Sequence, residues 1–242
     1  MKKYENREPI LLVFSTAYTS RQIIDRNLQI YYLSRDAGNY FKKMIVVNPV
    51  SQLQDVFDGH KFKYPKTSNF GKFIMVEGGI GEKVSTNQFL MLIRFLKSQA
   101  NLLYKTFRLL RKYKVELIRG EDPRIAGFYA YIFAKIFGKK LIIGVWGNPL
   151  RVRQETKKPI SAKFFKDIRK EYNFEKIILK KANWVLVQNF ENKLYAIEAG
   201  VKPEKLGFAK LGMGIDSNHF LEIDSRRKDL PLEIFEIRSE EH

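Results

Sequence analysis

Two adjacent carboxylates in the middle of the chain can bind a polar ligand. Glu121 and Asp122 stand just before Pro123, where an apolar run gives way to a helical pattern. Carboxylates near the start of a helix are stabilised by its partial positive charge, and either of these can accept a hydrogen bond from a ligand hydroxyl. Asp122 can instead be a helix cap that needs no ligand, which makes Glu121 the stronger candidate. Both are predicted binding residues.

A second candidate group is Trp146-Gly147-Asn148, which follows another apolar run and precedes Pro149. The glycine allows a ligand or another backbone segment to approach closely, while the indole can stack on a polar ring and the amide can hydrogen-bond to it. Packing at a strand end would leave the same sequence pattern. The sequence therefore predicts ligand contacts for all three residues and leaves the packing interpretation open.

The loop after the first apolar run, residues 15–20, is polar and places Ser15 and Thr16 near the same predicted crevice. It has no glycine, so it fits neither a dinucleotide-binding fingerprint nor a Walker loop. The glycine-rich stretch at 78–81 follows another strand, but the next helix begins several residues later. There we predict a plain turn rather than a phosphate-binding loop.

Short apolar runs alternate with longer amphipathic segments, as in parallel strands joined by helices. The predicted strands cover 10–14, 44–48, 73–77, 115–119, 140–146, 183–188 and 206–211, and the predicted helices cover 21–35, 87–113, 124–137, 162–181 and 190–199. This order predicts an α/β fold with a doubly wound, mostly parallel, Rossmann-like sheet and helices on both faces. Ligands of such sheets bind beyond the carboxyl ends of the strands, where all the candidate residues are placed.

The composition excludes several classes of protein. The 242 residues include 44 Lys and Arg against 26 Asp and Glu, a formal net charge of +18, while 45% are hydrophobic and 14% aromatic. That content excludes a disordered polycation. The absence of cysteine excludes disulfide scaffolds and thiolate zinc sites, and with three histidines we predict no metal site. No apolar run is long enough to span a bilayer.

Basic residues concentrate on two segments. In the predicted helix 87–113 they lie on a different face from an apolar stripe, and near 164 they surround two phenylalanines. Lysine and arginine beside exposed aromatic groups suit anionic lipid headgroups, although a solvated helix face would show the same pattern. The predicted membrane-contact residues are Arg94, Lys97, Lys105, Arg108, Phe164, Phe165, Lys166 and Arg169.

The region from 115 to 220 resembles the N-terminal half of GT-B glycosyltransferases of family 4. The resemblance depends on the order and spacing of a few short motifs: the run 175–189 around Lys181-Ala182-Asn183, then Ala199-Gly200-Val201, Glu204-Lys205-Leu206, Gly214-Ile215-Asp216 and Phe220. Residues 146–149 look like the family's loop at the interdomain cleft, although Trp146 stands where many members have histidine and Pro149 where others have an acid. The family's glycine-rich loop after the first strand is missing at 15–20.

The resemblance implies an acceptor-side domain over 1–220, an interdomain linker over 221–242 and a donor-binding C-terminal domain that is absent from this chain. The implied activity is transfer of a sugar from a nucleotide-sugar donor to a polysaccharide or lipid-linked acceptor, with the isolated chain inactive. Gly214 and Asp216 would lie at the interdomain cleft. We expect no cofactor on this chain, since the donor would bind the missing domain or a partner subunit.

The same resemblance places the protein in the cytoplasm, at the inner face of the plasma membrane. Two alternatives remain from the sequence. The net charge is compatible with a basic nucleic-acid-binding module, although no nucleic-acid motif accompanies it. The chain can also be a non-catalytic, membrane-anchoring subunit of a split transferase.

Overall fold

A computed structural model describes residues 9–35, 40–57, 59, 63–79, 88–162 and 164–209. The strands of this part are β1 (Pro9–Phe14), β2 (Lys43–Asn48), β3 (Lys66–Asn69), β4 (Phe73–Glu77), β5 (Lys114–Gly120), β6 (Lys140–Val145), β7 (Trp184–Val187) and β8 (Leu206–Phe208). The helices are α1 (Ser20–Asp25), α2 (Gln29–Leu33), α3 (Ser51–Phe57), α4 (Gln88–Leu110), α5 (Ile125–Phe137), α6 (Pro149–Thr156), α7 (Ile168–Lys181) and α8 (Phe190–Glu198), with a short 3₁₀ helix at Pro203–Lys205.

The eight strands form one sheet in the order β3-β4-β2-β1-β5-β6-β7-β8. Every neighbouring pair is parallel except β3 and β4, which are antiparallel. From β1 the chain adds strands on one side of the sheet and then crosses to β5 on the other side. The predicted fold class is confirmed, and the topological switch point lies between β1 and β5.

Both faces of β1 are buried, which explains why its sequence is apolar without alternation. Ile10, Leu12 and Phe14 face one hydrophobic core, which includes residues of α4, α5, α7 and α8. Leu11 and Val13 face a second core, which includes residues of α1 and α2. The sheet is thus covered on both faces.

Several elements differ from the sequence prediction. The predicted helix 21–35 is two short helices, α1 and α2, because the chain turns at Asn27, whose φ is 50°. Thr19 and Gln22 form a capping box at the start of α1. The short elements α3, β3 and α6 are not predicted, and α7 begins at Ile168 rather than at 162.

By its internal packing the chain divides into the units Met1–Leu211 and Gly212–His242. The second unit lies outside the described residues, as do the predicted linker at 221–242 and the predicted cleft residues Gly214 and Asp216. Among the described helices, none combines the length and apolarity needed to cross a membrane.

Candidate functional site

A cavity of about 430 Å³ lies at the carboxyl edge of the sheet, where β1 and β5 are neighbours. This is the switch point, at which doubly wound sheets bind their ligands. The wall of the cavity is formed by Thr16, Val50, Asp122, Arg124, Ile125, Ile160, Ser161, Ala162 and Phe164. The structure therefore brings together two residues predicted from the sequence to bind a ligand, Thr16 and Asp122.

Asp122 is held at the cavity wall by two hydrogen bonds. The backbone N–H of Arg124 donates to Oδ1 at 2.7 Å, and the Thr16 hydroxyl donates to Oδ2 at 3.3 Å. The N-cap of α5 is Arg124, so Asp122 closes the turn before the helix and is not its cap. Since a carboxylate offers about four acceptor positions, these bonds leave room for a ligand hydroxyl.

Two glycines fix the position of this turn. A Cβ atom on Gly127, in α5, would lie 2.5 Å from the carbonyl oxygen of Asp122. A Cβ atom on Gly120, at the end of β5, would lie 2.9 Å from the Cα atom of Gly127. Both distances are far below van der Waals contact, so the strand end and the helix can approach this closely only because both residues are glycine.

Arg124 connects Asp122 to buried charges on α6 and α7. Its Nη1 lies 3.2 Å from Glu175 Oε1, and its Nε lies 3.8 Å from Asp122 Oδ1. Burial alone would lower the pKa of Arg124, but these two carboxylates raise it above its ordinary value, so the guanidinium stays charged. Glu175 also accepts hydrogen bonds from Arg153 Nη2, at 2.5 Å, and from the Tyr195 hydroxyl.

Glu171 completes this network, and we call Arg124, Arg153, Glu171 and Glu175 the buried ion cluster. Arg153 donates two hydrogen bonds to Glu171, from Nη2 at 2.9 Å and from Nε at 3.2 Å. The Glu171 carboxylate also accepts the backbone N–H groups of Ile160 and Ser161 at 3.0 and 2.7 Å. Because both of those residues line the cavity, the cluster holds one wall of the cavity in place.

Glu121 does not line the cavity. It is buried beside two guanidinium groups, with Oε1 at 2.8 Å from Arg35 Nε and 2.9 Å from Arg119 Nε, and Oε2 accepts a hydrogen bond from Trp146 Nε1 at 2.9 Å. Burial would raise the pKa of Glu121, but Arg119 and Arg35 hold it below its usual range. The predicted binding residues Glu121 and Trp146 are therefore in contact with each other, next to the cavity.

Trp146 and the two residues after it each have a structural role. The indole lies over Gly144, where a Cβ atom would be 2.5 Å from the ring. Gly147 has a φ of 71°, a conformation that favours glycine. Asn148 is the N-cap of α6: its side chain accepts the backbone N–H of Arg151 at 2.9 Å, and its amide donates to Glu191.

Ser15 is fully buried and belongs to the second core rather than to the cavity wall. Its hydroxyl oxygen accepts hydrogen bonds from the Tyr32 hydroxyl at 3.2 Å and from the backbone N–H of Ala17 at 3.3 Å. Burial raises the pKa of Tyr32 well above its ordinary value, so that hydroxyl remains a donor. Among the predicted binding residues, the cavity wall therefore contains Thr16 and Asp122, while Ser15, Gly147 and Asn148 lie elsewhere at the same sheet edge.

The first half of α4 turns polar residues inward and apolar residues outward. Gln99 is buried, with Nε2 donating to the carbonyl of Gly79 at 2.8 Å, and Ser98 donates to the same carbonyl at 2.7 Å. On the outer surface the large exposed side chains are Phe89, Leu90, Leu92, Ile93 and Leu96, which we call the α4 apolar face. The helix therefore presents to solvent the face that an amphipathic helix normally buries.

Most of the predicted membrane-contact residues are exposed. Arg94 and Lys97 flank the α4 apolar face, and Arg108, Lys166 and Arg169 are also exposed. Of the remaining three, Lys105 Nζ donates to the carbonyl of Pro65 at 2.8 Å, Phe165 packs against Phe174, and Phe164 lines the cavity.

Sequence reasoning missed three sets of residues. Arg124 and Ser161 line the cavity, Arg153, Glu171 and Glu175 hold its wall, and Arg35 and Arg119 pair with Glu121 beside it. One signal was present: Glu171 and Glu175 are four residues apart and so share one helix face, where like charges are destabilising unless cationic groups lie close by. Within the described ranges, no group of three or more His, Asp or Glu side chains is placed to hold a metal ion.

The fold and the cavity define a class: a doubly wound α/β domain with a cavity of mixed polar and apolar lining at its switch point. No protein-family model matches the sequence, and no curated protein matches it. Several solved structures are similar to it in fold.

One of these is a sucrose-phosphate synthase from Thermosynechococcus elongatus, with 14% identity and a TM-score of 0.48, covering 90% of this chain and 98% of that one. Another is HepE from Anabaena in complex with UDP and glucose, with 12% identity and a TM-score of 0.44, covering 84% of this chain and 44% of that one. A third is UGT2 from Phytolacca americana, complexed with UDP-2-fluoro-glucose and pterostilbene, with 13% identity and a TM-score of 0.45, covering 92% of this chain and 58% of that one. The chain thus spans about half the length of the last two.

Proposed function

We propose that this chain is the acceptor-side domain of a glycosyltransferase, which orients a hydroxyl of the acceptor for transfer of a sugar from a nucleotide-sugar donor. The observation that supports this most directly is the cavity at the switch point, where Thr16, Asp122 and Ser161 place polar groups on one open volume. The resemblance of residues 115–220 to family-4 enzymes agrees with this assignment.

Asp122 is the residue best placed to orient the acceptor. Its two existing hydrogen bonds fix the carboxylate plane, and the remaining acceptor positions are directional. A hydroxyl that donates to a fixed carboxylate presents its own lone pairs in one direction. Positioning of this kind lowers the barrier by reducing the entropy lost on reaching the reacting geometry. Asp122 is offered as an orienting group and not as a nucleophile.

The donor phosphates require positive charge or helix N-termini, and in this proposal a second domain or partner subunit supplies them. The buried guanidiniums of Arg35 and Arg119 are already paired with Glu121, and that of Arg124 with Asp122 and Glu175. The cavity therefore suits a neutral, hydroxyl-rich acceptor better than a diphosphate. The acceptor is a polysaccharide or a lipid-linked saccharide.

The test is saccharide binding by the purified chain, measured by saturation-transfer NMR with a panel of neutral oligosaccharides. We expect binding that Asp122→Asn weakens by about tenfold, since one charge-assisted hydrogen bond contributes about 1.5–3 kcal/mol. Asp167→Asn is the matched control, because Asp167 caps α7 through a comparable bond to a backbone N–H and does not line the cavity. Equal weakening by both changes, or no saccharide binding, would contradict the proposal.

We further propose that the domain docks on an anionic membrane through the α4 apolar face. Exposed leucine, isoleucine and phenylalanine side chains lie next to Arg94 and Lys97, a combination that suits acidic headgroups over hydrocarbon. We propose that this membrane is the inner face of the plasma membrane and that the protein is cytoplasmic. A split transferase, in which this chain anchors a separate donor subunit, is compatible with the same surface.

A nucleic-acid-binding function is the weaker candidate. Its sequence support is the net charge of +18. Single-stranded nucleic acid is bound by aromatic rings that stack on bases along a basic groove. Tyr31 and Tyr32 pack against each other edge to face, with centroids 5.0 Å apart, and Tyr32 is fully buried. These rings are therefore not presented for stacking.

A further inference from the structure

A second cavity, of about 180 Å³, adjoins the cavity at the switch point and is almost entirely apolar. Val50, Ile125 and Phe164 line both cavities. The remaining wall of the second cavity consists of five aromatic side chains: Phe95, Phe128, Tyr129, Phe165 and Phe174. We call this second volume the aromatic cavity.

The aromatic cavity is held open by ring contacts between four different elements and loops. Phe174 of α7 lies between Phe128 of α5 and Phe165, with ring centroids 5.7 and 5.3 Å away. Phe95 of α4 approaches Phe164 with centroids 6.3 Å apart. Tyr129 turns its hydroxyl away to donate to Gln99 Oε1 at 2.5 Å, so its only polar atom is already paired.

The geometry points to an amphiphilic acceptor. We propose that the aromatic cavity binds hydrocarbon from a lipid-linked acceptor while the saccharide of the same molecule occupies the first cavity, beside the polar groups of Thr16, Asp122 and Ser161. The inference rests on the proposed function and decides between the two acceptor types left open there. A polysaccharide has hydroxyls along its whole length and would leave the aromatic cavity unused, whereas a saccharide joined to a lipid has apolar and polar parts in the order in which the two cavities occur.

The position of the aromatic cavity supports a lipid rather than a soluble aryl compound. Phe95 lines it from the inner side of α4, and Leu92 and Leu96, on the same helix, belong to the exposed α4 apolar face. One helix thus connects the cavity wall with the surface proposed to contact the bilayer. A lipid whose chain remains in the membrane can reach the cavity along that helix without crossing water.

The test uses a fluorescent reporter in the cavity wall. Phe164→Trp places an indole where both cavities meet, and Phe107→Trp is the matched control, since Phe107 is 43% exposed against 40% for Phe164 and contacts Phe137 instead. The probe is 6-bromohexyl β-D-glucoside, whose bromine quenches indole fluorescence only at short range. Wild-type protein corrects for quenching of Trp146 and Trp184.

We expect at least threefold stronger quenching of Phe164→Trp than of Phe107→Trp. Hexyl β-D-glucoside should displace the probe at a concentration about tenfold lower than methyl β-D-glucoside, because several methylene groups leave water. Equal quenching of the two variants would overturn the assignment of the aromatic cavity.

Two further outcomes separate this inference from the proposed function. If methyl and hexyl glucoside displace the probe equally and Asp122→Asn weakens both, the aromatic cavity is not part of the acceptor site and the acceptor site at Asp122 stands. If 6-bromohexanol quenches as well as its glucoside and Asp122→Asn has no effect, the apolar cavity binds hydrocarbon alone. That result would overturn both the lipid-linked acceptor and the proposed function.

Discussion

Glu121 and Asp122 are adjacent in sequence but have different surroundings. Glu121 is buried between Arg35 and Arg119, whereas Asp122 lines an open cavity and is fixed by a backbone N–H and a hydroxyl. The first carboxylate has its acceptor positions occupied by protein groups, and the second has positions to spare. At this scale, the structure makes Asp122 the stronger candidate for ligand contact and Glu121 a residue that positions Trp146.

The depressed pKa of Glu121 gives a testable pH dependence. Because the folded-state pKa lies below the unfolded value of about 4.3, the ionised carboxylate stabilises the fold above that pH, and the contribution is lost as pH falls through the folded-state pKa. Glu121→Gln leaves two buried guanidiniums unpaired and should lower the free energy of unfolding by about 3–5 kcal/mol at pH 7.

Urea unfolding from pH 7 down to pH 3 measures this effect. The stability difference between the wild type and Glu121→Gln should be constant at neutral pH and shrink at the acidic end of the range. Glu155→Gln is the control, because Glu155 pairs with Arg151 at 2.7 Å on an exposed helix surface and should change stability by less than about 1 kcal/mol. A difference that is independent of pH down to pH 3 would show that folding does not lower the pKa of Glu121.

Residue types and local spacing identified Thr16, Asp122 and Trp146 as members of one sheet edge, because parallel strands end together. Residue types and spacing could not identify the side chains with which the buried charged residues pair. Arg35 and Glu121 are 86 residues apart, and Arg124 and Glu175 are 51 apart. Which arginine reaches which carboxylate depends on how α2 and α7 lie on the sheet, and no local pattern encodes that placement.

At the scale of elements, α4 shows that a hydrophobic pattern in the sequence does not decide which face of a helix is buried. The apolar stripe of α4 is visible in the sequence, and an amphipathic helix normally buries such a stripe against the core. In the structure Gln99 and Ser98 face the sheet instead, because the carbonyl groups of Gly79 and Pro49 at the strand ends need donors. The short elements α3, β3 and α6 could not be predicted because each is too short to show a period.

The exposed face of α4 predicts membrane binding that one substitution can weaken. Leu96→Asp should reduce binding to vesicles of equal parts phosphatidylglycerol and phosphatidylcholine by about tenfold, since it removes apolar area and adds repulsion. Ile136→Asp on α5 is the matched control, with 59% exposure against 57% for Leu96. Co-sedimentation with vesicles measures the effect.

Polyuridylate binding by the same variants distinguishes the nucleic-acid alternative. We expect tight vesicle binding and weak RNA binding by the unchanged chain at 150 mM salt. If RNA binds tightly and both aspartate variants still sediment with vesicles, the α4 apolar face is not a membrane-contact surface.

At the scale of the whole molecule, the sheet order decides where a ligand can bind. β1 is flanked by β2 and β5, so the crevice at its carboxyl end lies between two oppositely directed connections. The alternation of strands and helices predicted this layout, and the layout predicted the edge at which the cavity is found. The cavity itself could not be predicted, since its far wall comes from Ile160, Ser161, Ala162 and Phe164. The predicted helix 162–181 covers two of these residues, but the pattern does not say that they lie opposite Asp122.

Because the acceptor site proposed at Asp122 does not include a donor site, we expect the isolated 242-residue chain to transfer no sugar. A nucleotide-release assay with UDP-, GDP- and ADP-sugars and a panel of acceptors should remain at background. Activity should appear when a second domain that binds the donor is supplied in the same reaction. Sustained nucleotide release by the chain alone, abolished by Asp122→Asn, would show that the donor site is on this chain.

The buried ion cluster and the exposed basic residues of α4 respond differently to ionic strength. Mobile ions screen charges over about 8 Å at 0.15 M salt, but only where water reaches them. Glu171 and Glu175 are fully buried, so salt cannot weaken their hold on the cavity wall, whereas Arg94 and Lys97 are exposed to it. A salt wash should therefore remove the protein from a charged surface and leave the shape of its binding site unchanged.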